Sequence, residues 1–112
     1  MDCIFCKIVK GEIPSTKVYE DEMILAFRDI DPKAPSHVVI IPKEHYANIV
    51  EIPANSGVME AVLNAVKEVA KAEDVVDSGF RIINNYKSDG GQSVDHVHFH
   101  MLGKRSLQWP PG

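Results

Sequence analysis

The sequence predicts an α+β fold: a five-stranded antiparallel sheet with one long helix and a short N-terminal helix. Three observations carry that expectation. Five β-rich runs follow one another through short turns that are charged or rich in Gly and Pro. After Pro53 the pattern changes, and Val58, Val62, Val66 and Val69 mark one apolar stripe of a helix. At the start, Ile4, Phe5, Ile8 and Val9 recur at helical spacing before Gly11 and Pro14 stop the run.

In chain order, the N-terminal helix comes first and is placed to lid a core. "KVYED" and "MILAFRDI" follow as two strands around the charged turn Glu20-Asp21-Glu22. "HVVIIPK" is the third strand, entered through the proline-rich loop "DPKAPS" and stopped at Pro42. The long helix turns Met59, Leu63 and Ala70 toward its apolar side and Glu60, Asn64, Lys67, Glu68 and Lys71 toward water. "GFRIINNY" reads as the fourth strand, "SDGGQS" as a tight glycine turn and "HVHFHMLGK" as the fifth strand. No internal repeat or low-complexity segment interrupts this order.

A chain of 112 residues suits one domain, expected over 1–112, with a single core and no need of disulfides. Its 45% hydrophobic and 25% charged residues are those of a globular protein rather than a disordered or membrane one. Apolar runs of only a few residues exclude a bilayer-spanning helix. The net charge of −4 argues against a dedicated nucleic-acid binder, which needs a positive surplus. A mononucleotide needs only a few local donors. The opening "MDCIFCKIVK" lacks the pattern of a secretory signal, so a cytoplasmic home is expected. In a reducing compartment, the pair Cys3 and Cys6, spaced C-x-x-C, suggests a redox couple, half of a metal site or two buried small side chains.

The chemistry concentrates in "SVDHVHFHML", where His96, His98 and His100 alternate with Val97, Phe99 and Met101. On a strand, alternate residues share a face and lie roughly 6.5–7 Å apart, so the three imidazoles project together and the apolar residues face a core. That face suits a metal site, a nucleophilic site or a solvated surface. Just upstream, "DGGQSV" supplies Gly90 and Gly91, free to adopt positive φ, and the Ser93 hydroxyl. The segment is a hairpin turn or a phosphate cradle.

"HVHFHML" resembles the H-φ-H-φ-H-φ-φ signature of the histidine triad (HIT) superfamily. The likeness extends in order through "GEIPS", "AFRDIDPKAPSHVVIIPK", "SDGGQSV" and the terminal "WPPG", and is strongest to the Hint branch of purine nucleoside phosphoramidases. The resemblance implies a HIT-like fold and a homodimer whose sheets join, with the tail "LQWPPG" against the partner's site. It also implies hydrolysis of the P–N or acyl-phosphate bond of purine nucleoside phosphoramidates and aminoacyl adenylates, releasing AMP or GMP. In that family the middle histidine, here His98, is the nucleophile. His37 and His100 complete the proton network, and Ser93, Gly91 and Asn85 hold phosphate and leaving group. Asp29 grips the ribose, while Ile30, Phe5, Ile8 and Val39 match the base pocket or are ordinary core. Relatives that keep the Cys-x-x-Cys bind zinc with two further histidines, which implies a structural zinc on Cys3, Cys6, His45 and His96 and no organic cofactor. Tyr86 and Lys87 depart from the best-known members, at the mouth of the pocket. Competing functions are a dinucleoside polyphosphate hydrolase of the same superfamily and a non-catalytic nucleotide-binding module.

Overall fold

Alternation along two central strands sets the architecture. The computed structural model describes residues 3–112; Met1 and Asp2 of the domain expected over 1–112 lie outside them. Strands β1 (Lys17–Glu20), β2 (Ile24–Arg28), β3 (Ser36–Pro42), β4 (Phe80–Ile83) and β5 (Phe99–Gly103) form one sheet in the order β1-β2-β3-β5-β4. Every neighbouring pair is antiparallel. Ile24 and Ala26 of β2, with Val38 and Ile40 of β3, face the long helix α2 (Val58–Ala72). Leu25, Phe27, Val39 and Ile41 face the other way, toward the short helix α1 (Ile4–Val9), which contributes Ile8 and Phe5. Both faces of the sheet centre are therefore covered, and β3 is buried along its whole length.

Helix α2 seats Val58, Val62, Ala65 and Val69 on the sheet. Each fully buried valine contributes roughly 1.5–3 kcal/mol, enough to hold the helix without a side-chain cap at Gly57. The charged turn closes through Asp21, whose Oδ1 accepts from the amides of Met23 and Ile24 at 2.8 Å each. Asp21 thus mimics one more backbone turn and fixes where β2 begins.

Three expected boundaries shift, each for a local reason. The fourth strand ends at Ile83, because Asn84 uses its side chain instead, donating to the His98 carbonyl at 3.0 Å. The "SDGG" segment is a single helical turn, α3 (Lys87–Gly90), ended by Gly91 at φ 76°. Its glycine takes the positive φ foreseen, but as a helix stop. The fifth strand starts at Phe99, so only His100 of the three histidines is in the ladder. Val97 gives its amide to the Tyr46 carbonyl at 2.7 Å, and the chain through His96–His98 is tied to the loop after β3.

Candidate active site and metal centre

The histidine face forms even though most of it lies outside the strand. Val97, Phe99 and Met101 enter the core beneath α2. On the α1 side, the Phe5 ring meets His96 and His98 edge-on, with centroids 5.8 and 5.1 Å apart, and His98 lies 5.1 Å from His100. His96 is wholly buried and His98 only 3% exposed, which removes the reading of a solvated polar face.

The first histidine turns away from the other two and joins Cys3, Cys6 and His45, whose ligand atoms all lie within 4.8 Å of one another. Cys3 Sγ is 3.3 Å from His96 Nδ1, Cys6 Sγ is 3.3 Å from His45 Nδ1 and 3.6 Å from His96 Nδ1, and the two Nδ1 atoms are 3.1 Å apart. Metal–ligand bonds of about 2.3 Å to sulfur and 2.0–2.1 Å to nitrogen give a tetrahedron with edges of about 3.6 Å (S···N) and 3.4 Å (N···N). The three S···N separations and the N···N separation lie within about 0.3 Å of those edges. His96 Nε2 donates to the Pro42 carbonyl at 2.8 Å, which leaves Nδ1 as a lone pair aimed at the centre. Burial lowers the His96 pKa and keeps the ring neutral, as a ligand must be. Burial, followed by the adjacent Cys3, pushes the Cys6 thiol up, a penalty that a cation between the sulfurs would reverse. The set fits a closed zinc site. Phe5, between the cysteines, carries this cluster's helix onto the catalytic-side histidines.

The second and third histidines have their tautomers fixed by neighbours. His98 Nδ1 is 2.8 Å from the His96 carbonyl and donates to it, so in the neutral tautomer the lone pair is on Nε2. Asn84 holds the His98 backbone from the other side. The Lys33 amide donates to His37 Nδ1 at 3.0 Å, so neutral His37 bears its proton on Nε2. That proton points to His100 Nδ1 at 2.9 Å, with Asp29 Oδ2 at 3.4 Å. His100 therefore carries its own proton on Nε2 and is a hydrogen-bond donor. Burial, then the neighbouring His98 and His37, push its pKa down to about 4, so it stays neutral near pH 7. Burial lowers His37 as well, against the pull of Asp29. A nitrogen nucleophile beside a fixed N–H donor is suited to attack on phosphorus. Asp29, His37 and His100 also converge closely enough for a cation. They do not suit one, because the His37 atom facing the other two holds the proton.

Two cavities meet at Asp29 and His100. One, of about 260 Å³, is walled by Phe5, Ile8 and Val39 and has His98, Asp29 and Ser93 around it. Ile30 lies at its rim and is fully exposed, so its reading as core is wrong. The other, of about 310 Å³, is bounded by His37, Asn85, Asp31 and Lys33. Of the residues expected at the nucleotide site, only Gly91 lines neither cavity. Ile13, Ser15 and Val94 also line the first cavity and were not singled out from sequence. Neither were Lys33, Asn84 or Gln92. Gln92 Nε2 donates to the Ala47 and Val94 carbonyls at 2.7 and 3.0 Å and anchors the segment bearing Ser93. Backbone-directed roles of this kind leave no periodic trace.

A family model described as the HIT domain matches residues 10–107. The chain belongs to the HIT domain family. The 14 kDa zinc-binding protein of Zea mays is 49% identical over 112 residues, covering 97% of this chain and 87% of that protein. Among solved structures, a HIT family hydrolase from Legionella pneumophila Philadelphia 1 superposes with a TM-score of 0.94 at 49% identity, covering 99% of this chain and 100% of that one. A histidine triad nucleotide-binding protein from Candida albicans has a TM-score of 0.84 at 38% identity, covering 97% of this chain and 83% of that one.

Proposed function

We propose that this protein is a purine nucleoside phosphoramidase of the Hint branch, a hydrolase that releases AMP or GMP by way of a nucleotidyl-histidine. The observation that carries the reading is the His98 Nδ1 contact with the His96 carbonyl at 2.8 Å, which places the neutral ring's lone pair on Nε2 in a side chain lining the apolar cavity. Similarity to a HIT family hydrolase and to a histidine triad nucleotide-binding protein supports it.

In this reading the purine stacks among Phe5, Ile8 and Val39, with Ile30 closing over it. Asp29 Oδ1 is taken up by the Asp31 amide at 2.8 Å, and Oδ2 accepts from the ribose hydroxyls. His98 Nε2 attacks the α-phosphorus and forms a P–N bond, while the bond to the substrate's amine breaks. The amine leaves with a proton drawn from solvent. His100 Nε2–H, Ser93 and Asn85 stabilise the charge that grows on the phosphate oxygens. Water then adds to phosphorus and returns a proton to solvent, the P–Nε2 bond breaks and the His98 lone pair is restored.

Cys3, Cys6, His45 and His96 hold a structural zinc, consistent with similarity to a protein named for zinc binding. Bound there, the ion would supply cross-linking rather than chemistry. The reading includes a homodimer: β4 is an outer strand and leaves Phe80 and Ile82 more than a third exposed, an edge that a second copy would cover. A cytoplasmic location suits the two free thiols. Purified protein given adenosine 5′-phosphoramidate tests the reading. Release of AMP at an enzymatic rate supports it, and AMP binding without turnover would leave only a binding module.

A further inference from the structure

The ends of β2 and β3 each place one side chain on either face of the sheet. Asp29 follows Arg28, Ser36 precedes His37, and the Asp29 amide donates to the His37 carbonyl at 3.0 Å, so the two dipeptides lie side by side. Asp29 and His37 face the cavities. Arg28 and Ser36 project toward the C-terminal end of α2, and both reach Glu73. Arg28 Nη1 and Nη2 donate to Glu73 Oε1 and Oε2 at 2.9 and 2.5 Å, and Ser36 Oγ donates to Oε1 at 2.8 Å. Glu73 is 4% exposed and Ser36 2%.

Stability alone does not account for this carboxylate. It sits at a helix C-terminus, the end that disfavours negative charge, and a buried ion pair seldom outperforms apolar packing of equal volume. Its position explains more. The seven residues from Asp29 to Pro35 join β2 to β3 in a loop whose inner amides orient the site, Asp31 holding Asp29 and Lys33 setting the tautomer of His37. Glu73 grips the residue before that loop and the residue after it at once.

We propose that Glu73 is a positioning residue for the Asp29–His37–His100 array, acting through Arg28 and Ser36 from the opposite face of the sheet. The inference rests on the reading of the cavities as a nucleotide site. Glu73 touches no substrate; it holds the base of the loop closed so that Lys33 keeps the His37 proton on Nε2.

Glu73→Gln keeps the shape and removes the charge that Arg28 pairs with. Two readouts separate positioning from mere stability. In ring ¹⁵N spectra of the protein without ligand, wild type shows His37 as one tautomer protonated on Nε2. In Glu73→Gln, the tautomers average and that proton exchanges with water about ten-fold faster or more, the scale of losing a charge-assisted hydrogen bond. The preference for AMP over its 2′,3′-dideoxy analogue falls by about ten-fold in the same variant. Arg28→Lys, which keeps charge but loses the two-pronged bond, lies between the two. Should Glu73→Gln not fold, Ser36→Ala retains the ion pair and moves both readouts the same way. A lowered melting temperature with the His37 tautomer and ribose preference unchanged would overturn the proposal. Wild type with a fixed His37 tautomer but no preference for AMP would overturn the nucleotide reading instead, and the spectra would still decide the role of Glu73.

Discussion

Removing the cation from the Cys3, Cys6, His45 and His96 cluster tests the proposed zinc most sharply. A ligand that binds only the folded chain, present at 100-fold over its dissociation constant, stabilises by about 2.7 kcal/mol. A chain of this length unfolds with an entropy near 0.24 kcal/mol per kelvin, so that stabilisation corresponds to about 11 °C in Tm. Zinc of higher affinity would shift it further. The cluster joins α1, the loop after β3 and the approach to β5, segments 39 to 93 residues apart in sequence, so its loss loosens long-range connections. His98 keeps its contact with the His96 carbonyl, a backbone group, and kcat at 25 °C should fall far less than stability does. The assay is thermal unfolding with and without a strong chelator, with zinc content measured alongside turnover. Cys3→Ser should reproduce the chelated Tm and lose the metal. Metal-free protein with an unchanged Tm, or a Cys3→Ser variant holding a full equivalent of zinc, would refute the reasoning.

Asp29→Ala should weaken AMP by about 1.5–3 kcal/mol, the value of a charge-assisted hydrogen bond, and leave the dideoxy analogue nearly unaffected; calorimetry with both ligands measures the difference. Acid should destabilise the fold through His100. Its pKa is pushed down to about 4 in the folded chain and lies near 6.5 when unfolded, so the unfolded state binds more protons between those values. The contribution is complete above about pH 6.5 and is lost as pH falls toward 4, by about 3 kcal/mol at most. Urea unfolding from pH 7 to 4.5 should show this slope and His100→Gln should reduce it; identical slopes would show that His100 is not held neutral.

Much of this was legible in the sequence because period-2 and helical stripes report burial directly. Val97, Phe99 and Met101 face the core as alternation requires, and Val58, Val62 and Val69 seat α2. The family motif brought Phe5, Val39, Asp29, Ser93 and His98 to one cavity from four separate segments. Boundaries were less legible, since Val97 and Asn84 leave the strand pattern for single long-range hydrogen bonds to Tyr46 and His98. The Glu73 cluster also leaves a trace in the sequence. With Ile24 and Ala26 facing inward, alternation turns Arg28 to the same covered side, where a guanidinium needs an acidic partner. Sequence separation hid that partner 45 residues away.

The identity of the nucleophile is the centre of the account, and it can be seen directly. Rapid quench of adenosine 5′-phosphoramidate turnover into alkali, which preserves phosphorus–imidazole bonds, followed by peptide mass spectrometry should find an adenylyl group on His98. His98→Ala, with AMP binding and fold retained, should lose several orders of magnitude in kcat and form no adduct. Turnover without any adduct on His98, or a near-normal kcat in His98→Ala, would contradict the account.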